Sequence, residues 1–247
     1  MAVHTAAVRK LETYRPLTDE ELDVIRALPS TERVVAAGRD IVAQGTSPHV
    51  STLVLDGFAI RYNLLAQGTR MISAIHVPGD FCDLHSFLLR KMDHSVAALT
   101  ECHICQVPHE ALAQIVERHP GLTRLLWTST VVDAGIHRQW MVRMGRRAAL
   151  ANLAHFICEL FVRLKLVGMT TGNGFMTPLN QAQMADATAM SAVHVNRTVQ
   201  ELRRRGLLGW EGRHITLPDW EGLVELAEFD PTYLNLTEEQ VRAMSLG

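Results

Sequence analysis

Long apolar runs, a secretory leader and metal-binding histidine pairs are all missing from this 247-residue chain. No stretch approaches the ~18 consecutive apolar residues of a membrane-spanning helix. The N-terminus lacks the apolar core of a signal peptide. No membrane partner is therefore expected, and the chain reads as cytoplasmic. Thiols stay reduced in that compartment, which bears on all four cysteines, Cys82, Cys102, Cys105 and Cys158; the first three read as small core residues rather than redox switches. No His-x-His occurs, which argues against a cupin-type barrel enzyme, whose metal needs histidines two apart plus a carboxylate. Cys102-His103-Ile104-Cys105 has metal-like spacing. On a strand, however, residues three apart point to opposite faces, and no second cysteine pair supports it. No metal, no cofactor and no enzyme activity are expected. Internal repeats and low-complexity tracts are absent too.

Net charge is also nearly absent, at −2, but its distribution is uneven. Residues 1–142 carry 13 basic and 15 acidic side chains, residues 143–217 carry 10 and 4, and residues 218–247 carry 1 and 7. Positive charge gathers in one segment, as phosphate neutralisation requires. A protein-binding signalling module is the competing reading of that segment.

Thr18 and Glu21 form a capping box that opens a short helix carrying Leu22, Ile25 and Leu28. Glycines then punctuate the chain at 38, 45, 57, 68 and 79. Between and after them lie short runs of β-formers at 33–36, 41–43, 52–55, 58–65, 71–77, 95–100 and 102–107. This spacing predicts an antiparallel barrel or jelly roll. Helical periodicity begins at His109 and is interrupted at His119-Pro120-Gly121. A long helix is expected over 122–144, with a break at Gly145 and another helix over 146–166. Leu122, Leu125, Leu126, Ser129, Val132, Ile136 and Trp140 form a stripe on the long helix, read as the seam of a homodimer, with packing of the helix on its own barrel as the alternative. Residues 168–174 read as a flexible loop. The fold class is α+β, with a barrel at 1–119, a dimerisation helix and hinge at 120–145, a DNA-binding domain at 146–230 and an acidic tail at 231–247.

Residues 178–217 have the outline of a winged helix-turn-helix, which points to double-stranded DNA. Asn180 and Gln183 cap a first helix, and 187–190 form the turn. Ser191 caps a second helix, with Val195, Val199 and Leu202 on its buried side. Ala192, Val193, His194, Asn196 and Arg197 occupy its exposed N-terminal half, where a recognition helix meets base edges. Arg197 can donate twice to guanine O6 and N7. Arg203, Arg204 and Arg205 suit phosphates, and Arg213 and His214 lie on the wing. Trp220, Leu223, Val224 and Leu226 are expected to pack as a further helix. The acidic residues beyond them read as a solvated end or as a polymerase-contact or autoinhibitory surface.

With these motifs the chain resembles the Crp/Fnr family of bacterial transcription regulators. The resemblance rests on the glycine-punctuated barrel, the Val77–Phe81 segment VPGDF, the long central helix and residues 181–213. Ser191 and Arg197 match the family's recognition-helix start and guanine-reading arginine. The family's acidic reader two residues after that serine is Val193 here, which implies a different operator preference. The resemblance implies a cyclic-nucleotide-binding-like sensor barrel, a homodimer on a near-palindromic operator, contact with RNA polymerase and a hinge near 143–147.

It also implies a candidate effector pocket at Asp80, Asp83, Leu84, His94 and Ser95. The family's ribose-holding glutamate falls on Leu84, beside Asp83, and its Arg-Ser pair on His94-Ser95. The hydroxyls that contact adenine fall on Ala134 and Gly135. Three of the four contacts are missing or altered, so cyclic AMP is not the expected effector. Arg90 and Lys91 leave another anion open, although a solvated loop is the plainer reading. Residues 1–81 contain no cysteine, which removes the N-terminal ligands of the family's iron–sulfur members. His76, His85, His94 and His103 recur every nine residues; coincidence is the simplest explanation, with a haem- or redox-sensing regulator as the alternative.

Overall fold

The computed structural model describes residues 2–245. The chain forms two compact units, one up to Ala134 and one from Gly135. The first unit contains helices α1 (Ala2–Glu12) and α2 (Asp19–Arg26), followed by strands β1 (Thr31–Val35), β2 (Asp40–Val42), β3 (Val50–Asp56), β4 (Ala59–Leu64) and β5 (Arg70–His76). A 3-10 turn at Leu84–Phe87 leads to β6 (Ser95–Ala98), β7 (Cys102–Pro108) and α3 (His109–Arg118). Helix α4 (Pro120–Arg146) crosses from the first unit into the second.

The seven strands make two antiparallel sheets, ordered β1-β7-β3 and β2-β6-β4-β5, as expected of a jelly roll. Strand alternation explains how β3 and β7 of the first sheet are buried on both faces, while β1 is mostly exposed. Val54 and Ile104 join Val42, Val96, Ala98, Cys82 and Cys102 in one cluster. Their neighbours Leu53, Leu55, Cys105 and Val107 face the other way and pack with Ile25, Leu112, Ile115, Leu122 and Leu125 of the helices. All four thiols are free and buried. Thr18 caps α2 as expected: its hydroxyl accepts from Glu21 N–H at 3.2 Å, and the Glu21 carboxylate accepts from Thr18 N–H at 3.0 Å.

Helix α1 was not expected. Ala7 and Leu11 are buried in the helical cluster, and Gly79 makes room for the helix. A Cβ at Gly79 (φ +94°) would lie 2.8 Å from both the Ala6 carbonyl oxygen and Lys10 Cβ.

The second unit contains α5 (Ala149–Leu166), β8 (Thr170–Thr171), β9 (Gly174–Met176), α6 (Gln181–Thr188), α7 (Ala192–Arg204), β10 (Gly209–Glu211) and β11 (His214–Thr216). Helix α8 (Trp220–Ala227), a 3-10 turn at Pro231–Leu234 and α9 (Glu238–Ser245) complete it. Strands β10-β11-β9-β8 form one antiparallel sheet. Residues 168–174 are therefore not a plain loop; they supply β8 and the start of β9, which widen the wing. Helix α4 does not break at Gly145, because helical hydrogen bonding continues to Arg146 and α5 starts only at Ala149. Nor is the C-terminal segment wholly solvated: Leu234 and Met244 are buried, while Glu225, Glu228, Asp230, Glu238 and Glu239 are exposed. Among the described residues, no helix is long and apolar enough to cross a membrane.

Candidate nucleic-acid interface

Helix α6 starts at a reciprocal cap. Asn180 Oδ1 accepts from Gln183 N–H at 2.8 Å, and Gln183 Oε1 accepts from Asn180 N–H at 2.9 Å. The helix includes Ala187 and Thr188 and ends on Ala189 in the left-handed region (φ 54°), so the turn into α7 is shorter than expected. Ser191 caps α7 by accepting from His194 N–H at 3.2 Å. Val195, Thr198, Val199 and Leu202 are the buried side of α7. Ser191, Ala192, Val193, His194, Asn196 and Arg197 are exposed. Ser191, Val193, His194 and Arg197 border a concavity of about 480 Å³ together with Ala149 and Leu150.

The basic residues of this unit divide into two sets. Arg143 is fully buried, Arg163 pairs with buried Glu159 at 3.4 Å, and Arg147 pairs with Glu228 at 3.2 Å. These three contribute to internal packing, so only part of the segment's positive charge faces outward. Arg197, Arg203 and Arg213 are exposed and carry no side-chain hydrogen bond or ion pair among the described residues. Arg204 and Arg205 are exposed, but both pair with Glu201, Arg205 Nε at 2.7 Å. Of the three arginines expected to suit phosphates, two thus share a carboxylate. Arg213 and His214 are exposed on the β10–β11 hairpin.

One polar neighbour of α7, Gln181, was not among the expected site residues. It is exposed at the start of α6, and its Oε1 accepts from Asn196 Nδ2 at 3.4 Å. The capping pair at 180 and 183 was the available signal, since it places Gln181 in a first helical turn with free N–H groups.

Most of the stripe read as a dimer seam is covered by the chain's own packing. Leu122, Leu125, Val132, Ile136 and Trp140 are buried by the chain's own packing, and Leu126 and Ser129 are half-buried. Side chains already buried within one chain are unavailable to a second. The outward line is Trp127, Val131, Ala134, Arg138 and Met141, all exposed. Their steps of four and three residues are those of a coiled-coil seam. In the segment expected to be a hinge, 143–147, Arg143 is fully buried, and Arg147 donates to the Ala227 carbonyl and to Glu228.

Four of the five effector-pocket candidates are held by hydrogen bonds or ion pairs within the first unit. Asp80 pairs with Lys10 at 2.9 Å and accepts from Val77 N–H at 3.0 Å. Asp83 is fully buried and accepts from the N–H and hydroxyl of Thr52. Burial pushes its carboxyl up to about 7 despite those donors. Ser95 Oγ accepts from Gln44 N–H at 3.0 Å. His94 Nδ1 meets Asp93 at 2.7 Å, and its Nε2 lies 3.2 Å from His85 Nε2. Burial pulls His85 down to about 4, with help from the charges of Arg61 and His94. Two of the nine-spaced histidines therefore do meet, whereas His103 pairs with Glu32 at 2.8 Å. Leu84 borders an apolar cavity of about 460 Å³ with Leu112, Val116, Leu126 and Trp127. Among the described residues, no group of three or more His, Cys, Asp or Glu could hold a metal ion.

Two family models match. A Crp-like helix-turn-helix domain covers residues 151–226, and a cyclic nucleotide-binding domain covers residues 32–119. A probable transcriptional activator of Rhizobium leguminosarum bv. viciae is 27% identical over 78% of this chain and 80% of its own length. The transcriptional activator protein FnrL of Cereibacter sphaeroides is 25% identical over 92% of this chain and 90% of its own. The solved structure of FixK2 from Bradyrhizobium japonicum superposes with a TM-score of 0.74 at 24% identity, covering 81% of this chain and 98% of that one, and shows the same fold.

Proposed function

The chain belongs to the Crp/Fnr family of DNA-binding transcription regulators, and we propose from that premise that it reads a near-palindromic operator as a homodimer. Helix α7 is the recognition helix. Its exposed N-terminal half, Ala192 to Arg197, faces the major groove, and Arg197 donates to guanine O6 and N7. The observation that carries this reading is the exposed Arg197, without a side-chain partner among the described residues, in the second turn of a Ser-capped helix whose other side is buried. Val193, 64% exposed, offers a methyl surface to thymine. Arg203, Arg213 and, after release from Glu201, Arg204 and Arg205 contact phosphates. Gln181 and the free N–H groups of α6 add a further phosphate contact.

Two copies associate along the exposed line from Trp127 to Met141. That arrangement sets two α7 helices on one face of the duplex, about one helical turn apart. Residues 1–119 serve as sensor, 120–145 as dimer helix and 146–230 as DNA reader. The exposed acidic side chains after Asp219 are a surface for RNA polymerase, in keeping with the activator names of the relatives.

Arg197→Ala tests the reading. Losing one bidentate base contact costs ~1–3 kcal/mol per half-site, so operator affinity should fall at least several-fold while the dimer persists. Unchanged affinity and sequence preference in a gel-shift titration would sink it.

A further inference from the structure

Beyond the residues that face DNA, the second unit holds a buried polar junction directly behind the turn that aims α7. Arg143, on the last turn of α4, is 0% exposed. Its Nη1 donates to Asn152 Oδ1 at 2.6 Å, and its Nη2 donates to the Ala187 carbonyl at 2.9 Å. Asn152, near the start of α5, donates Nδ2 to the Thr188 carbonyl at 3.0 Å. The guanidinium lies 4.6 Å from the Trp140 ring centre and 5.0 Å from that of Phe156.

Ala187 and Thr188 are the last residues of α6. Their carbonyls belong to the set that a helix leaves without intrahelical partners. Many helices satisfy such carbonyls through a left-handed glycine and the backbone N–H groups after it. Here the left-handed residue is Ala189, and two side chains from other helices hold the carbonyls. Burying a guanidinium is costly because the charge loses its hydration, and a methionine would fill similar space without that cost. What an arginine adds is two donors fixed in direction by a planar fork.

We infer that Arg143 and Asn152 are positioning residues for base reading. They fix the end of α6, and through the short turn they fix the angle at which α7 presents Arg197. The inference rests on the reading of α7 as the recognition helix. Base contacts depend on this angle, whereas phosphate contacts by flexible exposed arginines depend on charge. Loss of the junction therefore separates the two.

The test uses the full chain with Asn152→Ala, Arg143→Met and Arg143→Lys. Affinity is measured by fluorescence anisotropy at several salt concentrations, for a duplex enriched by the wild type from a random pool and for a scrambled duplex. Ultracentrifugation and thermal melting report assembly and folding. Asn152→Ala and Arg143→Met should lose at least ten-fold on the enriched duplex and less than two-fold on the scrambled one, with an unchanged salt slope. Arg143→Lys, which keeps the charge and a donor nitrogen but not the planar fork, should recover part of the loss. Equal losses on both duplexes, or no loss in a folded dimer, would overturn the inference. If Arg143→Met does not fold, Asn152→Ala decides alone, because it leaves the buried charge and one of its bonds in place. Arg197→Ala in parallel distinguishes the failures: a sensitive Arg197 with an insensitive junction rejects only this inference, and an insensitive Arg197 rejects the reading beneath it.

Discussion

Replacing Met141 with glutamate should dissociate the dimer, whereas truncating Leu125 should not. The contrast follows from which face of α4 the chain leaves uncovered. Trp127 is 69%, Val131 52% and Met141 63% exposed. Fully burying a large apolar side chain contributes ~1.5–3 kcal/mol, so sealing what each of these exposes yields roughly 1–2 kcal/mol per side chain. Three residues on each of two copies give about 6–12 kcal/mol gross, against an association cost of ~4–15 kcal/mol. The seam is therefore sensitive to single changes. Met141→Glu removes about 2–4 kcal/mol from the pair and places two like charges near each other, so the dissociation constant should rise roughly 30- to 1000-fold. Leu125, 3% exposed in the helical cluster, should lose ~2–5 kcal/mol of folding stability as alanine with no change in self-association. Sedimentation equilibrium measures the first quantity and denaturant unfolding of the diluted protein the second. Dissociation by Leu125→Ala in the folded state, together with an intact Met141→Glu dimer, would refute the reasoning and return the seam to the buried stripe.

Glu201→Gln should free Arg204 and Arg205 for phosphate, raising affinity for any duplex and steepening the salt slope by about 1–2; an unchanged slope would show that the pairing does not compete with DNA. The stability of the chain should also fall in acid through His155, which burial holds down at about 3, with the charges of Arg147 and Arg143 adding to the effect. An unfolded imidazole titrates near ~6.5, so the unfolded state takes up the proton first. The stabilisation is complete above that value and is lost as pH falls from it towards 3. His155→Phe, which keeps the ring against Phe229 and Tyr233, should therefore lose less melting temperature between pH 7 and pH 5 than the wild type. Equal losses would remove His155 as the cause.

Local patterns were legible where a residue's neighbours in sequence decide its role. The caps at Thr18, Asn180 and Ser191 act within three residues, and the buried side of α7 follows helical periodicity. The strands were placed by their turn glycines. What depends on distant contacts was not legible. The stripe on α4 was found, but periodicity tells only that a face is apolar, not whether the chain itself or a second copy covers it. Helix α1 has little pattern of its own and is fixed by Gly79 and Asp80, about 70 residues away. Charge counting treated Arg143, Arg147 and Arg163 as surface positives, although each is engaged inside the second unit. Asp80, Asp83, His94 and Ser95 were placed by family position, and their own hydrogen bonds occupy them.

The central claim is that α7 reads base sequence in pairs. Enrichment of double-stranded DNA from a random pool with the purified protein, followed by sequencing, tests it most directly. The account predicts a near-palindrome with half-site centres about 10 base pairs apart and a guanine in each half-site whose preference disappears with Arg197→Ala. Binding that enriches no sequence, or a preference untouched by Arg197→Ala, would contradict it.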